Sequence, residues 1–141
     1  MDSESPAPTI RRGAIRLARR LRAERPADAL SVGKVGVLGH LHRHGPSTPG
    51  DIAAAEHQQP QSLTRIFAEL ERDGLIVRSP SERDRRRVLL ELTRDGLVVL
   101  VGDMAARDAW LEGAIAGLSE TEREVLRLAG ALMERIAESA G

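Results

Sequence analysis

Apolar residues recur along most of this chain at the three- and four-residue spacing of amphipathic helices. This spacing predicts helices over residues 9–25, 31–44, 49–56, 60–73 and 94–116, and a last helix that begins after Ser119. Several ends carry strong signals. Thr48 followed by Pro49 starts a helix, and Ser119 begins a capping box. Gly74 supplies a left-handed stop. The chain is therefore predicted to be mainly helical.

The spacing changes to the alternation of β-strands in one place only, residues 75–78 and 87–93, which flank a turn over 79–86. A two-stranded hairpin is marginal by itself in water, so it must pack against the helices before it. This order predicts a winged helix-turn-helix over residues 30–93 with a small β-hairpin wing. A flexible tail is expected over 1–8, and N- and C-terminal helices over 9–28 and 94–141 are expected to form a dimerisation region.

Composition narrows the function classes. The chain has no cysteine, which excludes disulfides, thiolate metal sites and thiol redox sensing. No apolar run approaches the roughly 18–20 residues of a membrane span. A soluble, cytoplasmic protein with no membrane partner is expected. The net charge is zero, with 21 basic and 21 acidic residues. A site for nucleic acid must therefore be local.

The predicted helix over residues 60–73 has such a local site on its outer face. Leu63, Ile66, Phe67 and Leu70 follow the inward spacing, which leaves the polar residues of the first two turns facing outward. These candidates for contacts with base edges are Gln59, Gln61, Ser62, Thr64 and Arg65. An ordinary solvated helix face is the alternative.

The predicted turn of the hairpin concentrates positive charge at Arg83, Arg85, Arg86 and Arg87, with Asp84 among them. Like charges packed this closely are unfavourable unless anions compensate them, and DNA phosphates beside a narrow minor groove would do so. Charges that only protect a sheet edge are the alternative. Strand alternation puts Asp84 and Arg86 on one face, so that Asp84 holds Arg86 and Arg85 reaches DNA.

The hairpin and the helix before it resemble the MarR family of bacterial transcriptional regulators. Residues 84–93 match the family's wing pattern D-x-R-x-x-x-x-x-L-T, and LTRIFAELERDGLIVR resembles its recognition helix and first wing strand. The resemblance implies a nucleoid-associated homodimer that binds a pseudo-palindromic operator in double-stranded DNA as a repressor. It also implies release of the DNA by a small-molecule effector, and it places Arg86, buttressed by Asp84, in the minor groove. Both Arg85 and Arg86 thus stay candidates.

Other functions have weaker signals. His40 and His44 lie one helical turn apart, which raises a metal-responsive module as an alternative. The simpler interpretation is that they are partly exposed histidines near a helix end. A winged helix used only for protein contacts is another alternative. No nucleophile elbow, P-loop or zinc-protease motif is present. No enzyme activity, metal or cofactor is expected.

Overall fold

The computed structural model describes residues 4–25 and 29–139. The elements in these ranges are α1 (Ala7–Ala23), α2 (Val32–His44), α3 (Pro49–Ala55), α4 (Pro60–Arg72), β1 (Ile76–Pro80), β2 (Val88–Leu92), α5 (Arg94–Ile115) and α6 (Glu120–Glu138). The mainly helical fold with a β-hairpin, in the predicted order, is confirmed. The chain divides into two compact units, residues 25–106 and residues 1–24 with 107–141, so α5 belongs to both.

The predicted caps explain most of the observed helix ends. The Thr48 hydroxyl accepts a hydrogen bond from the Asp51 N–H at 3.1 Å, so α3 begins at Pro49 as expected. Ser119 and Glu122 form both bonds of the capping box of α6. Gly74 has a φ of 74°, the left-handed conformation that ends the segment after α4.

The first helix differs from its prediction at both ends. It begins at Ala7, within the predicted tail 1–8, because Pro8 lies in the first turn, where its missing N–H costs nothing. It ends at Ala23, two residues early. Residues 1–3 of the predicted tail, and residues 26–28 and 140–141 of the predicted helical regions, lie outside the described residues.

The hairpin is shifted along the chain relative to its prediction. β1 extends to Pro80, which pairs with Val88, so the turn covers residues 81–87 and includes Arg87. Serine and proline favour turns, yet a proline is tolerated at the end of an edge strand. The Ser81 N–H donates to the Arg87 carbonyl at 2.9 Å and closes the turn.

The hydrophobic core of the unit 25–106 lies between the helices and one face of the hairpin. Leu63, Phe67 and Leu70 of α4 are buried in it as predicted, while Ile66 packs at its edge. Its largest fully buried side chains are Leu38, Ile52, Leu70, Ile76, Leu90, Leu100 and Val37. The hairpin is therefore supported by the helices, as its small size requires.

The other unit is exposed throughout its two terminal helices. None of the described residues of α1 or α6 is buried. Apolar side chains on α6 that are 41–65% exposed include Val125, Leu126, Leu128, Leu132, Met133 and Ile136. The Arg20 guanidinium lies 5.5 Å from the ring centre of Trp110. No helix in the described ranges is both long and apolar enough to span a membrane.

Candidate nucleic-acid interface

A tight turn joins α3 to α4. His57 has a φ of 53°, a left-handed conformation that is uncommon outside glycine. The next N–H, that of Gln58, donates to the Ala53 carbonyl at 2.8 Å. Ile52 and Ala53 of α3 are buried in the same core as the inner face of α4. The turn and the shared core together hold the two helices as a helix-turn-helix.

The outer face of α4 carries the predicted polar side chains. Gln59, at the N-cap, makes no side-chain capping bond. The Thr64 hydroxyl donates to the Pro60 carbonyl at 3.2 Å, and the Arg65 Nε donates to Glu69 Oε1 at 2.9 Å. Gln59, Gln61, Ser62, Thr64 and Arg65 are all exposed. Their outward orientation is as predicted, and their contact with DNA stays a prediction.

Glu69 connects α4 to α2 through a second cation. Lys34 Nζ lies 3.0 Å from Glu69 Oε2, so each carboxylate oxygen has its own basic partner. The hydrogen bond from Lys34, followed by that from Arg65, lowers the pKa of Glu69. The pair Arg65–Glu69 has a local spacing visible in the sequence, whereas Lys34 is distant in the chain and gave no signal.

The wing turn presents four arginines on the surface. Arg83, Arg85, Arg86 and Arg87 are exposed. Within the part of the chain that the structure describes, their guanidinium groups make no hydrogen bond or ion pair. With Glu82 and Asp84 in the same turn, residues 81–87 carry a net charge of +2, four arginines against two acids.

Asp84 organises the backbone of this turn. Its Oδ1 accepts a hydrogen bond from the Arg86 N–H at 3.0 Å, and its carbonyl accepts one from the Arg87 N–H at 2.9 Å. Asp84 therefore holds Arg86 by the main chain and leaves its guanidinium free. Since residues 81–87 lie outside the strands, strand alternation does not orient Arg85, Arg86 or Arg87.

The base of the wing is anchored by Ser47, which the sequence did not indicate, and by His40, which it raised only as a metal ligand. Ser47 pairs with Leu90 of β2 through two backbone hydrogen bonds of 3.1 and 2.8 Å. The Ser47 hydroxyl donates to the Gly45 carbonyl at 2.9 Å, so it accepts from His40 Nε2 at 3.2 Å. Burial, and then the nearby His44, lowers the pKa of His40. His40 thus supports the wing as a neutral imidazole.

The histidines do not form a metal centre in the described ranges. His40 and His44 have ring centres 4.7 Å apart, but His40 is 6% exposed and bonded to Ser47. No group of three histidine, cysteine, aspartate or glutamate residues could hold an ion within residues 4–25 and 29–139.

Hydrogen bonds hold the other end of β2 close to the start of α5. The Thr93 hydroxyl donates to the Gly74 carbonyl at 2.7 Å and accepts from the Gly96 N–H at 3.0 Å. A Cβ on Gly96 would lie 2.1 Å from the Leu75 carbonyl oxygen. Only glycine fits at this close approach.

An exposed polar helix after a tight turn, with a basic hairpin in the same compact unit, defines a winged helix-turn-helix DNA-binding protein. A model of the MarR family matches residues 30–87. An HTH-type transcriptional regulator of Mycobacterium tuberculosis is 34% identical over 119 residues, which cover 84% of this chain and 83% of that protein.

Solved structures show the same fold. A transcriptional regulator protein from Pseudomonas aeruginosa is 38% identical, with a TM-score of 0.77 over 95% of this chain and 94% of that chain. A MepR variant of S. aureus bound to an oligodeoxyribonucleotide is 21% identical, with a TM-score of 0.63 over 96% of this chain and 100% of that chain. The chain belongs to the MarR family of transcriptional regulators. It is a DNA-binding regulator of transcription, from a family without enzyme activity.

Proposed function

We propose that two copies of this chain bind a pseudo-palindromic operator and repress transcription from it, in the bacterial cytoplasm at the nucleoid. The observation that carries this proposal is the combination, in one compact unit, of an exposed polar face on α4 and four exposed arginines in the wing turn. Like charges held this close together repel one another unless an anion neutralises them. The DNA backbone is such an anion.

Each part of this surface has its own role in the proposal. The first two turns of α4 enter the major groove, where glutamine pairs with adenine and arginine with guanine. Gln59, Gln61, Ser62, Thr64 and Arg65 provide those groups. Arg83, Arg85, Arg86 and Arg87 neutralise phosphates beside the adjacent minor groove. The Asp84 backbone contacts keep the wing turn in one conformation, which lowers the entropy lost on binding.

The terminal helices support the homodimer. α1 and α6 have no buried residue, and six apolar side chains of α6 are 41–65% exposed in a single chain. Exposed apolar patches of this kind mark protein interfaces. The charges also suit association, because residues 1–25 carry a net +4 and residues 95–141 a net −5. Two-fold symmetry would then place two copies of α4 about 34 Å apart, one turn of the duplex.

The experiment that tests the function uses DNA upstream of the gene itself. The purified protein should retard this fragment, and unlabelled random duplex should not compete at equal concentration. Protection of two half-sites one helical turn apart would support the homodimer, and lower output from the same promoter on adding protein would support repression. Equal affinity for upstream and random DNA would contradict an operator-specific regulator.

A small-molecule effector is the last part of the proposal. The fold neighbour BpsR of Bordetella bronchiseptica has DNA binding that is regulated by 6-hydroxynicotinic acid. Trp110 is the only tryptophan here, so its fluorescence gives a direct signal for binding in the helical unit. Aromatic acids should be titrated while operator release is followed. A fluorescence change without any loss of DNA binding would contradict an effector role for the compound tested.

A further inference from the structure

We infer that Glu69, held by Lys34, orients Arg65 so that this arginine selects one base pair of the operator. Glu69 would then determine specificity as a positioning residue without touching a base. This inference rests on the proposed function, in which α4 lies in the major groove. It concerns the least explained feature of that surface, an acidic side chain beside a candidate DNA contact.

The hydrogen bond from Arg65 to Glu69 uses Nε and leaves the outer edge of the guanidinium free. Arg65 uses its Nε to bond Glu69 Oε1 at 2.9 Å, while its side chain is 89% exposed. The two terminal amino groups therefore remain available on the outer edge. Those two groups can bond guanine O6 and N7 together. The carboxylate thus fixes the arginine in an orientation that suits bidentate recognition.

Lys34 makes this orientation rigid. Its Nζ holds Glu69 Oε2 at 3.0 Å, and the two side chains are only 19% and 25% exposed. The supporting helix is itself close, since a Cβ on Gly33 would lie 2.5 Å from Ile66 Cδ1. A side chain at position 33 would require the end of Ile66 to move. A chain of contacts therefore runs from Lys34 on α2 through Glu69 to Arg65 on the DNA-facing surface.

The charge of Glu69 favours selectivity over affinity. A carboxylate near DNA repels the phosphates of every sequence, and it reduces the positive charge that Arg65 offers to them. This loss of binding free energy is offset only where the oriented arginine bonds its preferred base. Binding is then penalised on wrong sequences, which is how discrimination arises from a repulsive element.

The test is a comparison of base preference, position by position. Fluorescence anisotropy would give the affinities of the wild type for the selected operator and for each single base-pair change in a half-site. The same series would be measured for Arg65→Ala, Glu69→Met and Lys34→Met. Glu71→Met is the matched control, because it removes the same charge from the same helix and breaks a bond to Arg78 instead. Urea unfolding would show that each variant is folded.

We expect Arg65→Ala to abolish the preference at one base pair, a loss of about 5- to 150-fold in discrimination for a bidentate contact. Glu69→Met and Lys34→Met should reduce the preference at that same position at least threefold, and Glu69→Met should bind random duplex more tightly. Glu71→Met should keep the wild-type preference. Wild-type preference in both Glu69→Met and Lys34→Met would overturn the inference and leave the proposed function intact. So would an unchanged preference in Arg65→Ala. A wild type without any base preference would overturn both.

Discussion

The attachment of the wing to the helices depends on Leu90. Truncating the Leu90 side chain to alanine gives the most quantitative prediction. Leu90 is completely buried in β2, and the residue also carries both backbone bonds to Ser47. Leu90→Ala keeps those backbone bonds and removes only the packed side chain. Burial of this kind makes a leucine-to-alanine change cost about 2–5 kcal/mol. Because whole domains are stable by only about 5–15 kcal/mol, this loss should be large on the scale of the fold.

Leu89 provides a matched control one residue away. It lies on the opposite face of β2 and is only partly buried, so Leu89→Ala should cost less than Leu90→Ala, because less buried apolar area is lost. Urea unfolding, followed by circular dichroism at one fixed protein concentration, would give both free energies of unfolding. Equal losses for the two variants, or a loss below about 1 kcal/mol for Leu90→Ala, would refute the assignment of the inner face.

Three further predictions follow from single side chains. Because the pKa of His40 is lowered, the unfolded chain binds more protons than the folded one just below pH 6.5, so the free energy of unfolding should fall as the pH drops through this region. His40→Gln should remove this dependence, and His42→Gln, on the exposed face of α2, should keep it. Gly96→Ala should lower the free energy of unfolding by about 1–3 kcal/mol through overpacking. Gly102→Ala, with open space around it, should raise the free energy of unfolding by about 0.5–1 kcal/mol. Urea unfolding would measure both. Leu128→Glu should weaken the proposed homodimer, since it puts a charge on an apolar side chain that is 55% exposed in a single chain.

Each of these has a clear contrary result. A pH dependence that survives in His40→Gln would show that another group titrates. Wild-type stability in Gly96→Ala would show that α5 can move away from Leu75 at little cost. Light scattering that finds Leu128→Glu to be as dimeric as the wild type at micromolar concentration would remove α6 from the interface.

Much of the fold could be predicted because its determinants are local. The apolar spacing of α4, the capping box at Ser119 and the left-handed Gly74 all act within a few residues, and all three predictions are confirmed. The exposure of the polar residues on α4 followed from the same spacing. The differences are local too, since Pro8 lies in α1 and Pro80 in β1, where the sequence predicts a tail and a turn.

The parts that sequence did not indicate depend on contacts between distant segments. Ser47 meets Leu90, and Lys34 meets Glu69, only after the helices and the hairpin have packed. His40 raised a metal hypothesis because its neighbour His44 was visible in the sequence and its true partner Ser47 was not. Asp84 was expected to hold a guanidinium, but an aspartate two residues before a free N–H in a turn bonds that N–H instead.

The salt dependence of operator binding tests the central claim, that the wing arginines neutralise DNA phosphates. If each protomer neutralises about four phosphates, log K against log salt should have a slope of about −7 for the dimer, from −0.9 per phosphate. Arg85→Ala with Arg86→Ala should reduce the slope to about −3.5, because four contacts per dimer are lost. Arg123→Ala with Arg135→Ala, which removes the same charge from α6, should leave the slope unchanged. A wing variant with the wild-type slope would contradict the account.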